Sequence, residues 1–131
     1  MKVRTTIRES LISRLSNLRD NTIIIDHLED LQLHKIERGT LIVYASWSGK
    51  AIVNCIQTMR FLYQDNYVEK ILIVDTDLMT SDFQVDIFGQ VCHGWGEIFI
   101  IHKGVIIKKY LGKESFENLR LTIRGITNSD L

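Results

Sequence analysis

Two kinds of apolar pattern alternate along this chain of 131 residues. Unbroken runs of strand length, TIIIDH (22–27), TLIVYA (40–45) and EKILIVD (69–75), are rich in β-branched residues, as buried central strands are. EIFIIH and VIIKKYLG follow, joined by Lys103-Gly104, a hairpin signal. Between the runs, apolar residues recur every three or four positions. Ile7, Leu11, Leu15 and Leu18 predict an amphipathic helix over about 6–19, opened by the capping box Thr6-Ile-Arg-Glu9. LEDLQLHKIE (28–37) reads as helical and Gly39 as its stop. Ile52, Cys55, Ile56, Met59 and Leu62 predict a helix over 48–64, LMTSDFQVDIFG one over 78–89, and ESFENLRLTI a last one, with 125–131 frayed. The predicted order is α, then βαβαβαββα, in a single domain over 1–131.

Composition changes this picture little. Apolar residues make up 45% and charged residues 24%, an ordinary globular balance, and the formal net charge is zero. No global field therefore argues for nucleic acid or anionic membrane as a partner. The charge is uneven, however. Asp65, Glu69, Asp75, Asp77, Asp82, Asp86 and Glu97 face Lys70 alone over 65–97, a net −6 that leaves +6 elsewhere. Four arginines (Arg4, Arg8, Arg14, Arg19) give the first helix a basic face. No apolar run approaches the ~18 residues of a membrane span, and MKVRTTIRES has no apolar signal core. Two cysteines are too few for a disulfide scaffold. These features point to the cytoplasm. There is no proline, so no X-Pro bond exists to be cis.

One stretch draws attention: YASWSGKAIVNC, Tyr44 to Cys55, where the central strand passes through a Trp-flanked glycine turn into a helix. With the element order, it resembles the thioredoxin fold over about 21–124. Trp47-Ser48-Gly49-Lys50-Ala51 stands where thioredoxins carry Trp-Cys-Gly-Pro-Cys. Gly94-Trp95-Gly96-Glu97 is similar in place to their Gly-x-Pro-Thr loop, and Lys103-Gly104 and Leu111-Gly112 to their hairpin turn and following glycine. The resemblance implies an α/β, three-layer α/β/α sandwich with a mixed central sheet and an extra N-terminal helix. It also implies what is lost. Ser48 and Ala51 replace both family cysteines, Gly96 takes the cis-proline position, and the buried acid of the central strand falls at Ile42.

Dithiol exchange needs an attacking thiolate and a resolving thiol, and a hydroxyl at Ser48 cannot cycle between those states. Cys55 falls in the apolar stripe of its helix, as a core cysteine does. Cys92 leaves an alternative open: a monothiol redox or thiol-sensing protein. Other chemistries lack their residues. Tyr44 stands where a phosphate loop needs its first glycine. Ser48 and His93 have no nucleophile-elbow motif. Asp75-x-Asp77 reads as a strand end with a cap, and His27, His34, His93 and His102 lack metal-ligand spacing. No cofactor, metal or enzymatic activity is expected.

What the resemblance leaves is a surface for protein. Trp47, Trp95 and Gly96 would frame a groove, with Ser48, Lys50 and Glu97 at its sides, and paired aromatics make favourable contact anchors. Ser46 or Ser48 could instead only cap the helix, whose N-terminal N–H groups also suit an anion. Asp82 and Asp86, one turn apart on a predicted helix, would offer a second surface to a basic partner. The expectation is a redox-inactive protein acting on another protein, as an immunity-type inhibitor of a toxin or as a maturation chaperone, with monomer and dimer both open.

Overall fold

The computed structural model describes residues 7–64 and 69–129, with side chains as far as 122. Thr6, Arg4 and Asp65 therefore lie outside the described residues. The elements run α1 (Ile7–Leu15), β1 (Thr22–Ile25), β2 (Arg38–Tyr44), α2 (Gly49–Gln64), β3 (Lys70–Asp75), α3 (Ser81–Phe88), β4 (Ile98–His102), β5 (Val105–Tyr110) and α4 (Ser115–Ser129). They build one five-stranded mixed sheet in the order β1-β3-β2-β4-β5. β1 and β2 lie parallel to β3, while β4 runs antiparallel to β2 and β5 antiparallel to β4.

The unbroken apolar runs are unbroken because the inner strands are covered on both faces. Along β2, Leu41 and Val43 point into a cluster with Leu31, Ile36, Met79, Phe88 and Phe99 on the α3 side. Ile42 and Tyr44 point the other way, onto Leu11 of α1 and Cys55, Met59 and Leu62 of α2. Alternation of side chains along a strand then makes every position apolar. Burying each such side chain contributes roughly 1.5–3 kcal/mol. α4 extends the second layer, with Leu119 packed on Ile98 and Tyr110. Phe88 stacks on Phe99 with ring centroids 4.4 Å apart.

The additional helix α1 is part of this core. Leu11 is fully buried against the sheet-facing side of α2, Ser10 hydrogen-bonds the Tyr44 hydroxyl at 3.1 Å, and Arg60 donates to the Arg14 carbonyl at 2.9 Å. It is shorter than its periodicity predicts, because Ser16 adopts a left-handed φ of 72° and ends it. Leu18 still packs on the same cluster from outside the helix.

The expected helix over 28–37 does not form. Two short 3₁₀ turns, Leu28–Asp30 and Leu33–Lys35, take its place, and Gly39 sits inside β2 opposite Lys70. Two facts explain the difference. The segment must cross over β3 to carry the chain from β1 to β2 while laying Leu31 and Ile36 on the sheet. The carbonyls of Ile36 and Glu37 accept instead from Gly104 and Lys103, at 2.8 and 2.6 Å. Those donors belong to the β4–β5 turn, whose two residues both have positive φ as a tight type I′ hairpin demands. The predicted helix over 78–89 is also shorter. Thr76–Leu78 is a 3₁₀ turn capped by Asp75, and α3 begins behind the Thr80 cap. The frayed end expected from 125 onward is helical backbone through Ser129.

Candidate functional site

The corner at the C-terminal end of β2 is built by three segments: residues 45–48, the first turns of α2, and the loop 93–97 that leads into β4. Ser48 is the N-cap of α2, accepting from the Ala51 N–H at 3.2 Å. The same hydroxyl donates to the Gly94 carbonyl at 2.6 Å, so the capping reading holds and the cap also ties the helix to the loop.

Every carbonyl of the turn Gly94–Gly96 has a side-chain donor. Beyond Ser48, Asn54 on the next turn of α2 donates to Trp95 at 2.6 Å and to Lys113 at 3.1 Å. Ser115 at the start of α4 donates to Gly96 at 2.9 Å. Two of the loop's donors are met by Glu97, whose two carboxylate oxygens accept the His93 N–H at 2.5 Å and the Trp95 N–H at 3.1 Å. Glu97 is only 1% exposed and its own carbonyl accepts from Val43, which joins the loop to β2.

Two glycines are required by this packing. A Cβ on Gly94 would lie 2.3 Å from the Trp47 indole, which lies against it. Gly96, at φ +78°, presses on α2 so closely that a Cβ would stand 3.0 Å from the Ala51 carbonyl oxygen. Gly96, which the sequence resemblance matches to the cis-proline position of thioredoxins, is a left-handed glycine wedged against a helix.

Of the residues the sequence nominated, Trp47, Ser48, Trp95, Gly96 and Glu97 come together here, with Lys50 exposed on the first turn of α2. Their roles divide. Trp47 is 63% exposed. Trp95 is half-buried, with the Lys113 ammonium 5.2 Å from its ring centroid. Gly96 and Glu97 are buried, so Glu97 does not flank a groove; its carboxylate is turned inward onto its own loop. Asp82 and Asp86 are exposed on α3, a different element from the corner. Asn54 and Ser115 were not singled out from sequence. The signal for Asn54 was present: with Ala51 and Thr58 it makes a row of small or polar residues at i, i+3 and i+7 within an otherwise apolar helix, and all three are buried.

Neither cysteine sits at the corner's surface. Cys55 is fully buried beside Met59, and burial pushes its thiol up to about 12. Cys92 is 8% exposed, and its N–H donates to the Gln84 side chain at 2.7 Å. Burial, with Glu97 nearby, raises its thiol to about 12 although Lys109 pulls the other way. Ile42 is fully buried in apolar surroundings. Among the described residues, no group of three or more potential ligands gathers to hold a metal ion, and no helix is long and apolar enough to cross a membrane.

The architecture is that of the thioredoxin-like fold, with α1 added in front. Solved structures make the comparison concrete. A thioredoxin from Trypanosoma brucei brucei superposes with a TM-score of 0.63 at 17% identity, covering 82% of this chain and 91% of its own. Mitochondrial thioredoxin 3 from Saccharomyces cerevisiae gives 0.62 at 14% identity, covering 88% and 98%. A yeast mitochondrial 1-Cys peroxiredoxin study includes a chain that matches at 0.61 and 14% identity, covering 79% and 94%. At the level of sequence, no protein-family model and no curated protein matches. The likeness is one of fold.

Proposed function

We propose that this chain is a redox-inactive, non-enzymatic thioredoxin-like protein of the cytoplasm that acts by binding another protein. One observation carries the reading. The corner that holds a dithiol in thioredoxins holds a hydroxyl committed to two hydrogen bonds and, beside it, a tryptophan left 63% exposed. A thiol-exchange site has become a fixed aromatic surface. Exposed Trp on rigid supports is a favoured anchor of protein interfaces. The acidic pair Asp82 and Asp86 would favour a basic partner through faster association.

Immunity to a toxin and assistance in maturation of another protein both fit this class, and the genes flanking this one discriminate them. Capture of host proteins on the tagged chain tests the class itself. Trp47→Ala is the informative variant, because so exposed a side chain can be removed with little effect on folding. A host protein retained by the wild type and lost from the folded variant supports the reading; retention unchanged by Trp47→Ala refutes the corner as the site. The monothiol alternative is decided by a thiol reagent under native conditions. Cys92 that reacts only on unfolding excludes it, and rapid reaction in the folded state would put it in place of the binding reading.

A further inference from the structure

We infer that a second copy of this chain docks on the cleft between α3 and β5 about a twofold axis, with Asp82 and Asp86 of each copy meeting Lys103 and Lys109 of the other. The inference uses nothing of the Trp47 corner and stands apart from the reading above.

The cleft, about 340 Å³, is lined by Leu33, Ile87, Val105 and Ile106, with Gly89, Gly104 and Lys109. Its floor continues the α3-side core, since Leu33, Ile87 and Ile106 pack on that cluster while staying partly exposed. Val105 is 61% exposed. Apolar surface rimmed by charge is the make-up of a protein contact.

The two banks of the cleft carry opposite signs. On α3, Phe83 and Ile87 form one row, packed on the core cluster, and Asp82 and Asp86 form an exposed row about 100° further round the helix. On the other bank, the hairpin segment from Ile98 to Lys113 holds four lysines and no acidic residue. Lys103 and Lys109 are exposed there. The Lys109 ammonium is held at the cleft by donating to the Phe88 carbonyl at 2.6 Å, which uses one of its three donors.

This pattern is its own complement. A twofold axis through the apolar strip turns each bank onto the other, so acid meets lysine twice and apolar residues meet apolar residues. Any other partner would need the same arrangement in reverse, whereas a copy has it by symmetry. A formal net charge of zero leaves no long-range repulsion between copies. The contact runs through side chains: β5 is the outermost strand, but its irregular register at Ile100/Ile101 and its lysines disfavour strand pairing. The 103–104 turn adjoins the Arg38 end of β2, opposite the corner, so Trp47 stays outside the interface. The acidic pair that would draw a basic partner is here met by the lysines of a copy.

Sedimentation equilibrium and amide NMR over a dilution series of the whole chain test this. The mass should rise from monomer toward dimer with concentration, with the shift changes centred on Leu33, Ile87 and Ile106. Dissociation should be at least ~3-fold easier in about 0.5 M salt, where exposed pairs are screened. Asp82→Lys/Asp86→Lys and Lys103→Asp/Lys109→Glu, each checked for folding by circular dichroism, should each weaken the dimer at least ~10-fold. Aspartate is chosen at 103 because the backbone there has φ 51°. An equimolar mixture of the two variants should restore the wild-type shifts at Leu33, Ile87 and Ile106. Should Lys109→Glu fail to fold, Val105→Ser keeps the test, since its side chain is already exposed; it should weaken the dimer at least ~3-fold. A chain that stays monomeric up to about 1 mM overturns the inference. So does a dimer that the folded variants leave intact, or a mixture that associates without those shifts. None of these outcomes bears on capture through Trp47, so the two readings fail separately.

Discussion

Replacing Gly96 by alanine puts the largest strain on the corner with the smallest chemical change. The backbone there has φ +78°, and the new Cβ would lie 2.8 Å from the Asn54 Cβ and 3.0 Å from the Ala51 carbonyl oxygen. Left-handed backbone costs an L-residue about 1–2 kcal/mol. The clash adds about 1–3 kcal/mol, because the carbonyl belongs to a helix and cannot swing aside. If the turn retreats instead, the 2.6 Å bond from Asn54 to Trp95 lengthens and about 1 kcal/mol is lost that way. Together these give roughly 2–5 kcal/mol, a large share of the 5–15 kcal/mol typical of a domain. With an unfolding entropy of about 2.1 cal/mol/K per residue over this length, the melting temperature should fall by roughly 7–18 °C. Calorimetry on wild type and variant reads it directly. Gly112→Ala is the proper reference: its φ is +81°, yet a Cβ there meets nothing within 4 Å, so it pays the backbone strain alone. Urea unfolding of both variants separates strain from contact. A Gly96→Ala protein no less stable than Gly112→Ala would show that the turn is not wedged against α2 as described.

Asn54→Ala removes both donors that tie Trp95 and Lys113 to α2 and should cost about 2–4 kcal/mol, with the Trp95 fluorescence shifting toward that of an exposed indole. Trp47→Ala, by contrast, should change stability by less than about 1 kcal/mol, measured in the same urea titration, since the side chain is largely outside the core already. The thiols predict an alkaline effect. Cys55 and Cys92 are raised from 9.0 to about 12, so an unfolded chain loses these protons near pH 9 while the native chain keeps them. The unfolded state then binds fewer protons, and stability falls as pH rises from about 9 toward 12, by up to ~1.4 kcal/mol per pH unit for each thiol. Unfolding free energies of wild type and Cys55→Ala/Cys92→Ala across that window check the sign, with the variant showing the shallower slope.

The parts of the fold legible in the sequence are those where one local rule and the tertiary environment agree. β2 and β3 are covered on both faces, so each run Leu41–Tyr44 and Ile71–Val74 is apolar throughout. α2 is long enough for its stripe to be unmistakable, and Lys103-Gly104 is a turn by its own backbone preference. Segment 28–37 failed for the opposite reason. Its leucines have helical spacing, but the carbonyls of Ile36 and Glu37 are claimed by a hairpin turn more than sixty residues away, which no local pattern records. Glu97 failed likewise. A glutamate beside a tryptophan in a glycine-rich loop reads as exposed, and only the return of the chain onto His93 and Trp95 makes it an internal acceptor.

That last residue also helps to set the shape of the corner. A turn that must adopt one conformation against a helix can be fixed by a proline ring or by hydrogen bonds, and this chain contains no proline. It uses glycine where the backbone is left-handed, and then needs partners for the groups that a flexible turn exposes. Glu97, Ser48, Asn54 and Ser115 supply them from the loop itself, α2 and α4. Ser48 is central to the arrangement because a hydroxyl can accept from Ala51 and donate to Gly94 at once, whereas a thiolate in that place could only accept. The hydroxyl at this position therefore supplies a donor that helps close the turn. That closure holds the turn beneath the exposed Trp47 from three elements, and on the binding reading proposed above a support that needs no ordering favours contact through that side chain.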